Sequence, residues 1–431
     1  MATLIKRAHV LGLAADASRQ TGADGVADVL VEAGQIVAIA PTLTDLPNDT
    51  EILDAQGQFL GPGLVDLYSQ SGEPGNEARE TYASLRQAAA AGGFTRVGLL
   101  PNAQPAVDTA SALIALQTAN QPAPAQANIL PWAAITLGAE GTQLTELIEL
   151  AETGAVGFTD GQPLTNRALL RRSLEYAQPL QKPLALWPDD PQLAGGGVAR
   201  EGADALRLGL LGVSAIAETT ALAMLLECVS EIPTQIHIMR LSTARGVELI
   251  RQAKAQGLAI SASVPWHHLI FDTRALETYN PALRHSPPLG TPADREALIA
   301  GVSEGVIDAI AIDHSPYTYE ETTVAFDAAP SGAIGLELAL PVLWQTFVAS
   351  GQWSSHQLWQ SLSQKPLQCL GLAPNLLRPQ APAELTLFDP RIDWQVSPAA
   401  LRSLSANTPF MGKALQGKVT QVWVPPSAAL L

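Results

Sequence analysis

Cysteine is almost missing from this chain of 431 residues, which has only Cys228 and Cys369. Both lie in apolar, helical-looking contexts (AMLLECV and PLQCLGL), which suits buried small hydrophobes better than a disulfide or a thiolate metal centre. Histidine is scarce as well, seven in all, which leaves little imidazole for a metal site. Basic residues are outnumbered: 25 Lys and Arg stand against 41 Asp and Glu, for a formal net charge of −16. That balance repels phosphate backbones and anionic membranes, so neither nucleic acid nor a membrane surface is an expected partner. No stretch reaches the ~18 uninterrupted apolar residues of a membrane span. The start of the chain, Met1 to Ala14, carries Lys6 and Arg7 but lacks the apolar core and cleavage site of a secretory leader. A cytoplasmic location is expected.

What the chain has is apolar mass, 47% hydrophobic against 15% charged, enough for a large core. Its length suits one large α/β domain with an appendage. Residues 1–57 contain short strands; ADVLVEAGQIVAIA alternates around a Gly turn. From Gly61 onward short apolar strands alternate with amphipathic helices. The strands are FTRVGLLPN (94–102), ANILPWAAIT (127–136), GAVGFTD (154–160), PLALWPD (183–189), TQIHIMRLST (234–243), LAISASVPW (258–266) and VIDAIAIDHS (306–315). This alternation predicts a parallel sheet, most economically a closed (β/α)8 TIM barrel over residues 58–375. Strand patterns return in AELTLFDP (383–390) and GKVTQVWV (417–424). Residues 376–431 are therefore expected to join 1–57 in a small composite β domain, with Pro-rich 372–383 as the link. The stretch Gln121–Gln126 is the one Pro/Ala-rich low-complexity run.

A barrel of this kind keeps its site at the C-terminal ends of its strands. At the end of the first barrel strand stands GPGLVDLYSQSGEPG (61–75). Here the chain resembles the cyclic amidohydrolases, dihydroorotase in particular, which carry His-x-His and then Leu-Arg-Glu-Pro-Gly at this point. The surrounding frame is kept in Gly63, Leu64, Val65, Asp66, Leu67, Glu73, Pro74 and Gly75. Further segments follow in family order: LLPNAQP (99–105), FTDG (158–161), LSTARGVELI (241–250), HHL (267–269), NPALR (280–284), DREALIAGVSEGVIDAIAIDHSP (294–316), APSGAIGLE (329–337) and NTPFMGKALQGKV (407–419). The resemblance spans essentially the whole chain.

Cutting or closing an unactivated amide near neutral pH takes a metal-bound hydroxide, and a zinc pair needs several imidazole or carboxylate ligands aimed at one point. By the resemblance, the His-x-His pair corresponds to Tyr68 and Gln70, the third histidine ligand to Trp187, and the fourth to Arg240. All four imidazoles are replaced. Carboxylates remain at Asp160 and at Asp313, the family's general acid/base. Two carboxylates make a poor zinc site, and a guanidinium, which keeps its proton, sets a fixed positive charge where a dication would sit. An ion pair of Arg240 with Asp160 or Asp313 is expected to stand in for the metal. No cofactor is expected, and zinc enters only if the site works in a degenerate form.

Substrate recognition is thinned as well. The family's carboxylate-binding Arg corresponds to Gly72, and a second carboxylate-side histidine to Tyr317. Asn102 and Asn280 match positions that contact the pyrimidine ring. Among the remaining histidines, His237 lies three residues before Arg240 on a strand, which by alternation points the two side chains to opposite faces. His267 and His268 suit structural hydrogen bonding, and His314 a positional role. His9, His285 and His356 show no grouping and are expected at the surface. Tyr68 and Trp187 are expected to plug the emptied pocket, since a void loses packing contacts.

The resemblance extends to inactive members of the family, which assemble with aspartate carbamoyltransferase. It implies a pseudo-enzyme of pyrimidine biosynthesis, kept for its shape, in a homo- or hetero-oligomer. Two rivals stand beside it. One is an active dihydroorotase or cyclic amidase with a degenerate metal site, interconverting N-carbamoyl-L-aspartate and dihydroorotate through Asp313 with one weakly held metal at Asp160. The other is a sensor binding a pyrimidine precursor through Asn102, Asn280 and Arg240.

Overall fold

The computed structural model describes residues 2–14, 25–120 and 125–425, so four residues of the Pro/Ala-rich run (121–124) lie outside the described residues. Strands β1 (Ala2–Val10), β2 (Val26–Glu32), β3 (Gln35–Ala40), β4 (Glu51–Asp54) and β5 (Phe59–Pro62) come first. The barrel strands follow: β6 (Leu64–Ser69), β7 (Phe94–Leu99), β8 (Asn128–Ala133), β9 (Gly157–Phe158) and β10 (Leu184–Leu186). The short β11 (Ala199–Arg200) and β12 (Gly212–Val213) pair only with each other, in an excursion before the next barrel strand. Then come β13 (Ile236–Ile238), β14 (Ile260–Pro265) and β15 (Ala309–Ala311), and finally β16 (Leu385–Gln395) and β17 (Ala414–Trp423).

Eight parallel strands run in the order β6-β7-β8-β9-β10-β13-β14-β15, as a TIM barrel requires. The seam between β15 and β6 is held by the Gln70 N–H donating to the His314 carbonyl (2.8 Å) and by the Asp66 carboxylate accepting from the Ile312 N–H (2.7 Å). Alternation along the short strands separates two apolar layers. Ala185, Ala309 and Ala311 belong to an inner cluster with Tyr68, Trp132 and Met239. Their neighbours Leu184, Leu186 and Ile310 pack outward against the helices. The helices start where capping residues allow: Thr81 and Ser84 form a capping box on Tyr82–Ala91, Thr243 caps Ala244–Ala255, and Thr291 with Asp294 caps Pro292–Ser303.

The second sheet takes strands from both ends of the chain, in the order β17-β16-β5-β1-β2-β3, with β4 beside β1. Because β5 pairs here, the barrel proper begins at Leu64. The sheet is tied to the barrel by a buried two-point pair, Arg96 Nε and Nη2 to Glu384 at 2.8 and 2.7 Å, with Thr95 Oγ1 donating to the same carboxylate at 2.7 Å. Most of the strands expected from sequence are shorter in the barrel. The chain leaves GAVGFTD and PLALWPD after two or three paired residues to build the loops that carry the site.

Candidate functional site

At the strand ends the backbone turns sharply in two places. Arg240, after β13, has φ 54° and Asp313, after β15, has φ 51°. Left-handed geometry is uncommon for residues other than glycine and costs on the order of 1–2 kcal/mol, so surrounding contacts must hold it. Here those contacts are mutual. Arg240 Nε and Nη2 donate to Asp313 Oδ2 and Oδ1 at 2.8 and 2.7 Å, and Arg240 Nη1 donates to the Gly161 carbonyl at 3.0 Å. The guanidinium carbon lies 4.7 Å from the centre of the Trp187 ring and 5.6 Å from that of Tyr68. Arg240 is only 4% exposed. Burial alone would lower its pKa, but the charge and hydrogen bonds of Asp313 outweigh that and hold it above its ordinary value.

Of the two carboxylates foreseen as counterions, Asp313 takes the role and Asp160 does not. Asp160 accepts from the Thr136 N–H (2.9 Å) and Oγ1 (2.7 Å), and burial raises its pKa. Below the pair, Tyr68 Oη accepts from the Arg240 N–H (3.1 Å) and meets Ser263 Oγ at 3.0 Å. Burial, then the Asp313 charge, pushes the Tyr68 phenol far up.

The expectation that His237 and Arg240 face opposite sides fails. His237 is fully buried inside the barrel, bridging Ser261 Oγ (2.9 Å) and Ser263 Oγ (2.8 Å), and Ser263 also bonds Tyr68 beneath Arg240. Strand alternation ends with Ile238, and the left-handed turn at Arg240 brings its side chain back over the axis.

The other expected positions divide. Gln70 closes the seam through its backbone and is half-buried. Asn102 lies against Gly161, where a Cβ would meet it at 3.4 Å, and so borders the carbonyl that Arg240 holds. Asn280 spends its side-chain oxygen capping its own turn, accepting from the Ala282 N–H at 3.0 Å. Tyr317 donates to the Ser331 carbonyl at 3.2 Å and lies under Arg79, which is itself paired with Glu321. Gly72 has no room for a side chain, since a Cβ there would stand 2.0 Å from the Asn76 carbonyl oxygen.

Sequence reading missed the carboxylates beneath the mouth. Glu80 is fully buried and receives His314 Nε2 (3.3 Å) and Ser403 Oγ. The Gly335 N–H donates to His314 Nδ1, which fixes the proton on Nε2. Burial would raise the pKa of Glu80, yet its bonds to His314 and Ser403 leave it below the ordinary value. Asp66 accepts from Ser69 Oγ and the Ile312 N–H, and burial lifts it to about 7. The available signal was an Asp inside the apolar run GLVDLY.

His285 is a correction. It is half-buried and grouped, packing 4.5 Å from the His267 ring and 5.9 Å from that of His268, because the 281–290 loop folds back onto the 267–270 turn. Burial lowers His285 to about 4 and His268 to about 3. His268 Nε2 bonds the Pro287 carbonyl (3.1 Å), His9 stacks on Phe59 in the β domain, and His356 is exposed. Among the described residues no group of three or more His, Cys, Asp or Glu is arranged to hold a metal.

The donor set at the mouth does not fit zinc. It offers a phenol held in its protonated form, an amide, an indole and a guanidinium, and its one central carboxylate is already neutralised by Arg240.

A family model described as dihydro-orotase-like matches residues 57–243. A probable dihydroorotase-like protein of Synechocystis sp. is 42% identical over 419 residues, covering 91% of this chain and 94% of its own. The dihydroorotase of Pelotomaculum thermopropionicum is 38% identical over 368 residues, covering 85% and 86%. Among solved structures, the L-hydantoinase of Arthrobacter aurescens superposes with a TM-score of 0.83 over 98% of this chain and 97% of that one, at 22% identity, a likeness of fold. With relatives this similar over nearly their whole length, the chain belongs to the dihydroorotase-like family.

Proposed function

We propose that this protein is a dihydroorotase homologue of pyrimidine biosynthesis that does not hydrolyse amides, and that it serves as a structural or regulatory partner of aspartate carbamoyltransferase. One observation carries the loss of catalysis: the Arg240–Asp313 pair. The family's general acid/base is Asp313, and both of its oxygens are engaged by a buried guanidinium. Using that carboxylate as a base would break a buried two-point ion pair and leave Arg240 uncompensated. The degenerate-site reading needs Asp160 or Asp313 free, and each is already engaged. The sensor reading needs donors on Arg240, but three of its five N–H groups are given to protein oxygens and the residue is only 4% exposed. The partner rests on family analogy, namely inactive homologues that assemble with the transcarbamoylase.

The test joins metal content and turnover on one sample, purified without chelator or affinity histidines and assayed for dihydroorotate cyclisation with and without added Zn²⁺. Near-zero metal and no turnover support the reading. Zinc near one per chain with measurable turnover overturns it. Co-elution with the transcarbamoylase of the same cell then tests the partner, and two separately migrating species would refute it.

A further inference from the structure

Outside the plugged axis, next to Trp187, the structure keeps an open cavity of about 400 Å³. It lies between the helices Arg167–Ala177 and Ile216–Glu231, at the C-terminal end of β10. Leu170, Leu186, Met224 and Leu225 give it apolar walls, and the Trp187 indole that packs over Arg240 also lines it. Three charged residues also line it, the exposed Arg167 together with Asp189 and Asp190, and of these Asp189 stands out. Asp189 is half-buried, and no hydrogen bond to its carboxylate is found among the described residues. By contrast the nearby Glu218 is satisfied by Ser242 and Thr243, and Asp190 caps the turn at Gln192. Burial, then the Glu218 charge, lifts Asp189 to about 6 against the opposing charge of Arg200, which leaves it largely ionised at neutral pH. A half-buried anion without a donor, at the edge of an apolar cavity, is complementary to a cation with an apolar body. The net charge of −16 favours the same sign of ligand.

We propose that this cavity is a binding site for a small organic ammonium ion whose ammonium group pairs with Asp189 and whose apolar body packs on Trp187, Leu170 and Met224. The site is independent of whether the barrel mouth is catalytic, because it uses neither Arg240 nor Asp313. It also gives Trp187 a second role: the side chain that closes the axial pocket forms a wall of the lateral one.

The probe is 2-phenylethylammonium, titrated calorimetrically into the intact protein at low ionic strength, with 3-phenylpropionate as the anionic control of similar shape. The expected result is saturable binding of one ammonium per chain and none of the carboxylate. Asp189→Asn should weaken the ammonium by about ten-fold or more, through loss of a charge-assisted hydrogen bond. Ala221→Trp, which fills the cavity from the half-exposed helix face, should abolish binding. Circular dichroism and the thermal midpoint of each variant confirm that it is folded. Absence of saturable binding, equal binding of the carboxylate, or an unchanged affinity in folded Asp189→Asn overturns the proposal.

Discussion

Arg240 and Asp313 meet across the barrel mouth through two parallel hydrogen bonds, each residue carried on a left-handed backbone at the end of its own strand. A buried guanidinium thus stands at the barrel mouth with a carboxylate from another strand end as its counterion.

Breaking this pair from one side should cost far more than removing both partners. Asp313→Asn leaves a buried guanidinium uncompensated and is expected to lower unfolding stability by ~3–5 kcal/mol. Arg240→Leu combined with Asp313→Leu should lose clearly less than the sum of the single changes. Urea unfolding of the two single variants and the double variant checks this, and simple additivity would count against the pair as described.

The buried His237 predicts a pH dependence of known sign. Burial, then the Lys254 charge, holds its pKa at about 3, against an ordinary value of 6.5. The folded protein keeps this imidazole neutral while the unfolded chain takes up a proton, so its contribution is complete above pH 6.5. That contribution is lost as pH falls through 6.5 toward 3, at up to ~1.4 kcal/mol per pH unit. Replacing His237→Gln should therefore flatten the fall of urea midpoint between pH 6.5 and 4 relative to the parent. Parallel curves for the two proteins would show that the imidazole is not held neutral.

Position 72 should not accept a side chain. A Cβ at Gly72 would stand 2.0 Å from the Asn76 carbonyl oxygen and 2.8 Å from that of Glu80, both backbone atoms. Gly72→Arg is expected to destabilise by at least ~1–3 kcal/mol, as overpacking does. A thermal midpoint equal to that of the parent would mean that the loop re-forms around the new side chain.

The link between barrel and β domain should prove equally sensitive. Glu384 takes two bonds from Arg96 and one from Thr95, and both members of the ion pair are almost wholly buried. Glu384→Gln is expected to cost ~3–5 kcal/mol, measured by urea unfolding. A loss under 1 kcal/mol would show that the sheet is anchored chiefly by its apolar face.

The barrel was legible because strand and helix periods alternate over some 300 residues, and because strands buried on both faces form apolar runs such as LALW and IAI. Boundaries were less so: β9 and β10 end early, and only pairing partners decide where a strand stops. The placing of Tyr68 and Arg240 near one another was not local in sequence, since the two residues meet across 172 positions. Glu80 was not legible either, since its partners Ser403 and His314 lie 323 and 234 residues away. His285 was misplaced for the same reason: ring packing with His267 and His268 depends on a loop fold-back that no local pattern records.

The sequence by itself determined the layer architecture and the residue types Tyr68, Gln70, Trp187 and Arg240 near the strand ends, because residue type and periodicity are properties of the chain. Tertiary structure alone decided that Arg240 pairs with Asp313 rather than Asp160, that Gly72 has no room for a side chain, and that a cavity opens beside Trp187. Those outcomes depend on where strand ends turn and which loops fold over them. Ångström-scale differences in position there decide which carboxylate a guanidinium reaches.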